Sequence, residues 1–140
     1  MNLSELFRNQ VVTAEPQESV RSVAQKMKSG EVGAVVIVQA GKVVGIVTDR
    51  DLVVRAIAGA GSIDGPVADV MSRDVVTIWD DQGVFNATQY VRGRKIRRIP
   101  IVDRQEKLIG MLSADDLFAL LARETLNVAE GLEPALGSRV

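Results

Sequence analysis

The clearest signal along the chain is a change in hydrophobic period that happens twice. Val20, Val23, Ala24 and Met27 follow the i, i+3, i+4, i+7 spacing of one helix face. Gly30 stands where a left-handed cap would stop that helix. Residues 33–39 (GAVVIVQ) and 43–47 (VVGIV) are then short β-branched runs, joined by Ala40-Gly41-Lys42, which predicts a hairpin. Both alternations of these runs are apolar, so both faces of the strands need cover. A second helix is predicted from near Asp49.

The same grammar returns further on. Val11-Val12-Thr13 recurs as Val75-Val76-Thr77, a spacing of 64. Leu3, Leu6 and Phe7 match Val67, Val70 and Met71, and the helix face matches Val84, Ala87, Thr88 and Val91. One extra residue enters between Asp103 and Lys107. Beyond it Lys42-Val43-Val44-Gly45 matches Lys107-Leu108-Ile109-Gly110, and Thr48 to Leu52 matches Ser113 to Leu117. Each copy therefore reads strand, helix, strand, strand, helix. About 60 residues make a marginal core alone, so the expectation is an α+β fold of two β-α-β-β-α repeats packed about a pseudo-two-fold axis. Residues 1–60 form the first repeat, 61–66 the connector and 67–124 the second repeat. Pro66 suits the first turn of a short helix. The tail, residues 125–140 with Gly131, Pro134 and Gly137, is expected to fray or pack loosely.

Composition narrows the chemistry. The 140 residues are 46% hydrophobic and 25% charged, the mix of a folded globular protein. Neither Cys nor His occurs, which removes thiol catalysis, histidine base chemistry and the usual zinc ligands. Any metal would sit on oxygens, and magnesium carried by a phosphate ligand is the expectation. MNLSELFRNQ lacks the features of a signal peptide and no membrane-length apolar run exists, so a cytoplasmic protein is expected. Charge is balanced, 17 Lys plus Arg against 18 Asp plus Glu, which disfavours a general nucleic-acid binder.

Against that balance RGRKIRRIPIV, residues 92–102, places five cations in seven residues. Each copy also sets a hydroxyl residue three before an aspartate at the strand-to-helix junction: Thr48 with Asp51, Ser113 with Asp116. Two readings stand side by side. The pair is a helix-capping pattern, in which the side chains satisfy orphan amides. Alternatively, if the repeats face each other, a carboxylate and a cationic rim border one cleft. That combination suits a ribose bearing phosphates, with an apolar slot for the base. The acid is Asp both times, whereas a capping box favours the longer Glu or Gln.

DVMSRDVVTI, IRRIPIVD, VGIVTDRDL and IGMLSADDL, in order over about Leu3 to Arg123, resemble a tandem pair of cystathionine β-synthase (CBS) domains, a Bateman module. The VTDRDL form resembles small stand-alone bacterial CBS-pair proteins. The resemblance implies a non-catalytic regulatory and signal-transduction role, with an adenosyl ligand (AMP, ADP, ATP, NAD or S-adenosylmethionine) in clefts between the repeats. It implies one cleft with Thr13, Val32, Gly33, Ala34, Arg97, Ser113 and Asp116. The other cleft would hold Thr48, Arg50, Asp51, Thr77, Ile96 and Arg98. Arg97 and Arg98 are expected at phosphate, and Arg92, Arg94 and Lys95 at a solvated helix end.

The copies are not identical. Val36 replaces Pro100, Gly33 and Ala34 stand opposite Arg97 and Arg98, and Asp115 adds an acid beside Asp116. The two clefts are therefore expected to differ. LVVRAIA (52–58) and LFALLA (117–122) are apolar on both flanks, which calls for a second covering surface. With the resemblance this implies a homodimer, signalling to an unidentified protein target. A ligand-free interaction or structural module is the alternative. An enzyme is disfavoured, since neither a G-x-x-x-x-G-K-[ST] loop nor a G-x-G-x-x-G fingerprint occurs.

Overall fold

In the computed structural model, residues 2–7, 10–94 and 96–137 are described, the last five by backbone alone. The first half runs through α1 (Leu3–Leu6), β1 (Thr13–Ala14), α2 (Val20–Gly30), β2 (Ala34–Gln39), β3 (Lys42–Thr48) and α3 (Asp49–Asp51). α3 continues as a π-helical stretch, Leu52–Ile57. After a 3-10 turn, Val67–Asp69, the second half runs through β4 (Ile78–Trp79), α4 (Val84–Val91), β5 (Arg98–Val102), β6 (Leu108–Ser113) and α5 (Ala114–Gly137). Two three-stranded sheets result, β1-β2-β3 and β4-β5-β6. In each, the first pair is parallel and the second antiparallel.

Local chemistry explains the elements. Ser19 caps α2, its hydroxyl accepting from Ser22 N at 3.0 Å. The first hairpin closes on Ala40 and Gly41, both at positive φ, between the paired Gln39 and Lys42. That two-residue geometry matches the twist of the strands. The left-handed residue ending α2 is Glu31, at φ 52°, and not Gly30. Gly30 serves a different need: a Cβ there would stand 3.1 Å from a methyl of Val12.

The two cores trade their leading segments. Val67, Val70 and Met71 pack with β2, β3 and α2 of the first half. Leu3 and Phe7 pack with β4, β5 and β6 of the second. Backbone bonds hold both exchanges: Val67 N donates to Glu18 O at 2.7 Å, and Leu3 N to Gln82 O at 3.0 Å. Residues 125–137, read from sequence as a loose tail, continue α5 without interruption. From Leu121 to Leu132 their side chains stay exposed, so the segment is helical yet covered by nothing among the described residues.

Candidate functional site

The seam between the halves is built at the two strand-to-helix junctions. In the first half Asp49 N donates to Gly33 O at 3.0 Å; in the second Ala114 N donates to Arg97 O at 2.7 Å. These equivalent bonds tie the start of a strand to the start of a helix, and the seam opens beside them.

Three hollows adjoin here and share Arg98. One, of about 210 Å³, is lined by Gln10, Val11, Val12, Val32, Gly33 and Ala34 from the first half and by Arg98 and Met111 from the second. The next, of about 310 Å³, is lined by Ile46, Thr48, Asp49 and Arg50 against Ile96, Arg97 and Arg98. A small one, of about 100 Å³, lies among Arg97, Arg98, Ser113 and Asp115. Val32, Gly33, Ala34, Thr48, Arg50, Ile96, Arg97, Arg98 and Ser113 are thus gathered along one seam.

Four of the expected residues are not among the lining of these hollows. Thr13 lies in β1, its carbonyl accepting from Lys26 Nζ at 2.9 Å. Thr77 lines a separate hollow with Lys42, Trp79, Val102 and Glu106. Neither Asp51 nor Asp116 is among the lining residues of these hollows.

The two aspartates also differ from each other. Asp51 closes a complete capping box: its Oδ2 accepts from Thr48 N at 3.0 Å, and Thr48 Oγ1 accepts from Asp51 N at 3.1 Å. Its other oxygen, Oδ1, lies 3.6 Å from Arg55. Arg55 in turn donates to Val70 O at 3.0 Å and to Ser72 Oγ at 3.2 Å, tying the cap to the exchanged turn. The capping reading therefore describes the first copy even though its acid is Asp. In the second copy only half of the pattern forms. Ser113 Oγ accepts from Asp116 N at 2.9 Å, while the Asp116 carboxylate is exposed and has no partner among the described residues.

The cations divide in the same way. Arg97 meets Asp115 at 3.5 Å, both about four-fifths exposed, a contact that water and salt weaken. Arg98 has no ion-pair partner among the described residues; its Nη2 and Asp49 Oδ2 flank Gly33, 3.4 and 3.3 Å from where a Cβ would stand. Arg92 and Arg94 lie at the exposed end of α4, with Arg94 stacked 4.7 Å from the Tyr90 ring. Lys95 lies outside the described residues. Among the described residues no group of three or more acids gathers that could hold a metal.

Ile46, Met111, Gln10, Val11, Val12, Asp49 and Arg55 were not assigned to a site from sequence. A signal for two of them exists. Ile46 and Met111 stand two residues before Thr48 and Ser113 on their strands, hence on the same sheet face. Arg55 had none beyond the i, i+4 spacing to Asp51, because its carbonyl partners come from a distant turn.

The chain is similar to known proteins along most of its length. The CBS domain family matches residues 3–57 and again 67–123. The CBS domain-containing protein YhcV of Bacillus subtilis is 34% identical over 116 residues, 83% of this chain and 82% of its own length. An uncharacterized protein of Methanopyrus kandleri is 36% identical over 119 residues, 84% of this chain; the match spans 61% of that protein's length. Among solved structures, a CBS domain protein from Pyrobaculum aerophilum complexed with AMP is similar at a TM-score of 0.74 and 28% identity. The match covers 83% of this chain and 89% of that one.

Proposed function

The chain belongs to the CBS-domain family, as a tandem pair, and on that premise we propose that it is a non-catalytic regulatory module that binds an adenosyl ligand between its repeats. The observation that carries this reading is the pair of adjoining seam hollows. In the first, valines of one repeat and Met111 of the other make an apolar slot of a size for a nucleobase. At its edge stands Arg98, a guanidinium free to pair bidentately with phosphate, and Arg50 and Arg97 continue the cationic wall in the second. The AMP complex of the Pyrobaculum aerophilum relative supports the choice of ligand class.

The reading is non-catalytic because the residues at the seam bind and orient. The chain has no Cys or His to act there, and the one hydroxyl–acid pair that is closed, Thr48 with Asp51, is spent on backbone amides. Magnesium would enter with the ligand's phosphates, since no acid cluster among the described residues would hold it alone. The signal would be the difference in ligand affinity between two states of the pair, read by a protein target in the cytoplasm, where adenine nucleotides are plentiful. A homodimer belongs to the same reading: Val53, Val54, Ile57 and Phe118 are each at least half exposed on helices that have no second cover.

Thermal unfolding with AMP, ATP, NAD and S-adenosylmethionine tests the proposal. A ligand at 100 times its Kd stabilises by about 2.7 kcal/mol, a rise of several degrees for a chain of this size. No rise with any of the four at millimolar concentration would leave the second reading, a ligand-free interaction module. The closed capping box at Asp51 is the observation that favours it.

A further inference from the structure

We infer that a hollow at the hairpin tips, away from the seam, is a site for a small apolar α-amino acid, held by both of its charged groups. The hollow measures about 290 Å³. Val43 and Val44 of β3 line it from the first half, and Val75, Val102 and Trp79 from the second; Lys42, Thr77 and Glu106 are its polar members. It shares no lining residue with the three seam hollows, so the inference goes beyond the adenosyl-ligand reading and does not rest on it. Its volume lies near the lower bound of about 300 Å³ for small-molecule sites, which suits a metabolite smaller than a nucleotide.

The apolar lining is held in place before any ligand arrives. Trp79 ends β4, where Asp80 N donates to Val102 O at 2.9 Å and Gln82 N to Trp79 O at 3.2 Å. The Arg104 guanidinium lies 3.7 Å from the centre of the indole ring and is itself fixed by two bonds to Asp81, at 2.6 and 3.1 Å. Despite this bracing Trp79 is 46% exposed, and Val43, Val44 and Val75 are only half-buried. Apolar surface that is positioned yet wet gains free energy from a ligand that covers it. The first copy has no such lining: Glu15 stands where the second has Trp79, and Gly41 where it has Glu106. The hollow is thus a departure from the repeat and not a product of it.

The charges decide the ligand class. Lys42 Nζ lies 3.4 Å from Glu106 Oε2, with both side chains about two-thirds exposed, a contact that water weakens and a ligand can replace. A lone anion at Lys42 would sit beside the Glu106 carboxylate, and a lone cation at Glu106 beside the Lys42 ammonium. A zwitterion satisfies both: its carboxylate pairs with Lys42, its ammonium with Glu106, and its side chain lies on the valines and the indole. The Thr77 hydroxyl, without a hydrogen-bond partner among the described residues, remains to donate to the carboxylate. The backbone of Glu106 points the same way. It stands at φ 67°, the left-handed region that glycine enters without strain. Asp103 pins this turn, its Oδ1 accepting from Gln105 N and Lys107 N, both at 2.9 Å, and its carbonyl from Glu106 N at 2.9 Å. The turn alone would favour glycine at this position; the carboxylate serves the hollow instead.

Trp79 is the only tryptophan of the chain, so its fluorescence reports on this hollow alone. Titration of the full chain with L-leucine, followed by Trp79 fluorescence and by calorimetry, tests the inference. The expected result is a saturable fluorescence change with one leucine per chain. L-leucinamide, which lacks the carboxylate, and 4-methylpentanoate, which lacks the ammonium, should each bind at least tenfold more weakly. Lys42→Ala should weaken leucine to a similar degree. Glu106→Gly should do so too while the melting temperature holds or rises, because glycine suits the turn; a merely structural glutamate would not separate the two readouts. The inference is overturned if leucine, valine and phenylalanine all give neither a saturable fluorescence change nor binding heat at millimolar concentration. It is equally overturned if leucinamide or 4-methylpentanoate binds as tightly as leucine, if Glu106→Gly keeps wild-type affinity, or if AMP and leucine compete for one site.

Discussion

At Gly45 a missing side chain sets how closely one half can approach the other. A Cβ there would run into the thioether sulfur of Met71 and stand 3.1 Å from Ser72 O. Ser72 O accepts from Ile46 N at 3.0 Å, so the exchanged turn lies directly against the backbone of β3. Gly45→Ala is therefore expected to destabilise by roughly 1–3 kcal/mol, as overpacking does, visible as a lowered melting temperature. Glu18 acts at the same scale through charge. Partial burial pushes its carboxyl up, but the Glu15 amide at 2.7 Å, the Lys26 ammonium at 2.9 Å and the Ser22 hydroxyl together hold it below the ordinary glutamate range. A carboxyl depressed in the folded state stabilises in full above its unfolded value, and loses that contribution as pH falls through the folded one. Stability should thus decline on acidification from the glutamate range downward. Glu18→Gln should be less stable at neutral pH and show a shallower acid slope in a pH series of thermal melts.

Among the elements, the traded leading segments tie each core to the other half of the sequence. α1 belongs by sequence to the first repeat but completes the second core, where Leu3 is fully buried; Val67 does the converse. Neither half therefore keeps a closed core if the other is removed. Leu3→Ala should cost about 2–5 kcal/mol. Native-state hydrogen exchange should show the loss first in β4, β5 and β6, the half that does not contain residue 3 by sequence. Loss confined to β1, β2 and β3 would contradict the exchange. The two junction helices also differ: Leu52–Ile57 is π-helical, whereas α5 stays α-helical over 24 residues. The wider turn accompanies the three contacts of Arg55, which the second copy has no residue to make.

At the scale of the whole molecule, α5 carries an apolar stripe that nothing among the described residues covers. Phe118, Leu121, Val128 and Leu132, spaced by three, seven and four residues, fall along one side of the helix and are 40 to 74% exposed. Leu121 also lines a groove of about 260 Å³ with Leu6, Val84 and Leu120. An exposed apolar stripe of this length marks an interaction surface, and in the homodimer proposed above a second copy would cover it. Sedimentation at low micromolar concentration should give twice the 15.1 kDa chain mass. Val128→Glu combined with Leu132→Glu should shift it toward monomer with the helix content retained, because neither side chain belongs to a core. A wild-type protein that sediments only as a monomer would rule the dimer out.

The order of elements was legible because local periodicity dictates it. Val20, Val23 and Met27 face the first core, and the β-branched runs around Ala40-Gly41 form the expected hairpin. The repeat, and with it the α+β plan of two like halves, was also written in the chain, since equivalent apolar positions must be buried in equivalent ways. Most of the residues gathered at the seam were named only through the resemblance to CBS pairs, because apolar periodicity says nothing of where Arg97, Arg98 or Arg50 come together. That Asp51 closes its capping box while the Asp116 carboxylate does not could not be read from the sequence alone. Both follow a hydroxyl residue by three positions, and what separates them is Arg55, steered by carbonyl and hydroxyl groups about 15 residues away in sequence. The exchange of Leu3 with Val67 was hidden likewise, because two matching apolar triads fit either core by pattern alone. Periodicity says which side chains must leave water; only packing in three dimensions says against which neighbours they do so, and which polar groups are left free once the backbone has taken its share.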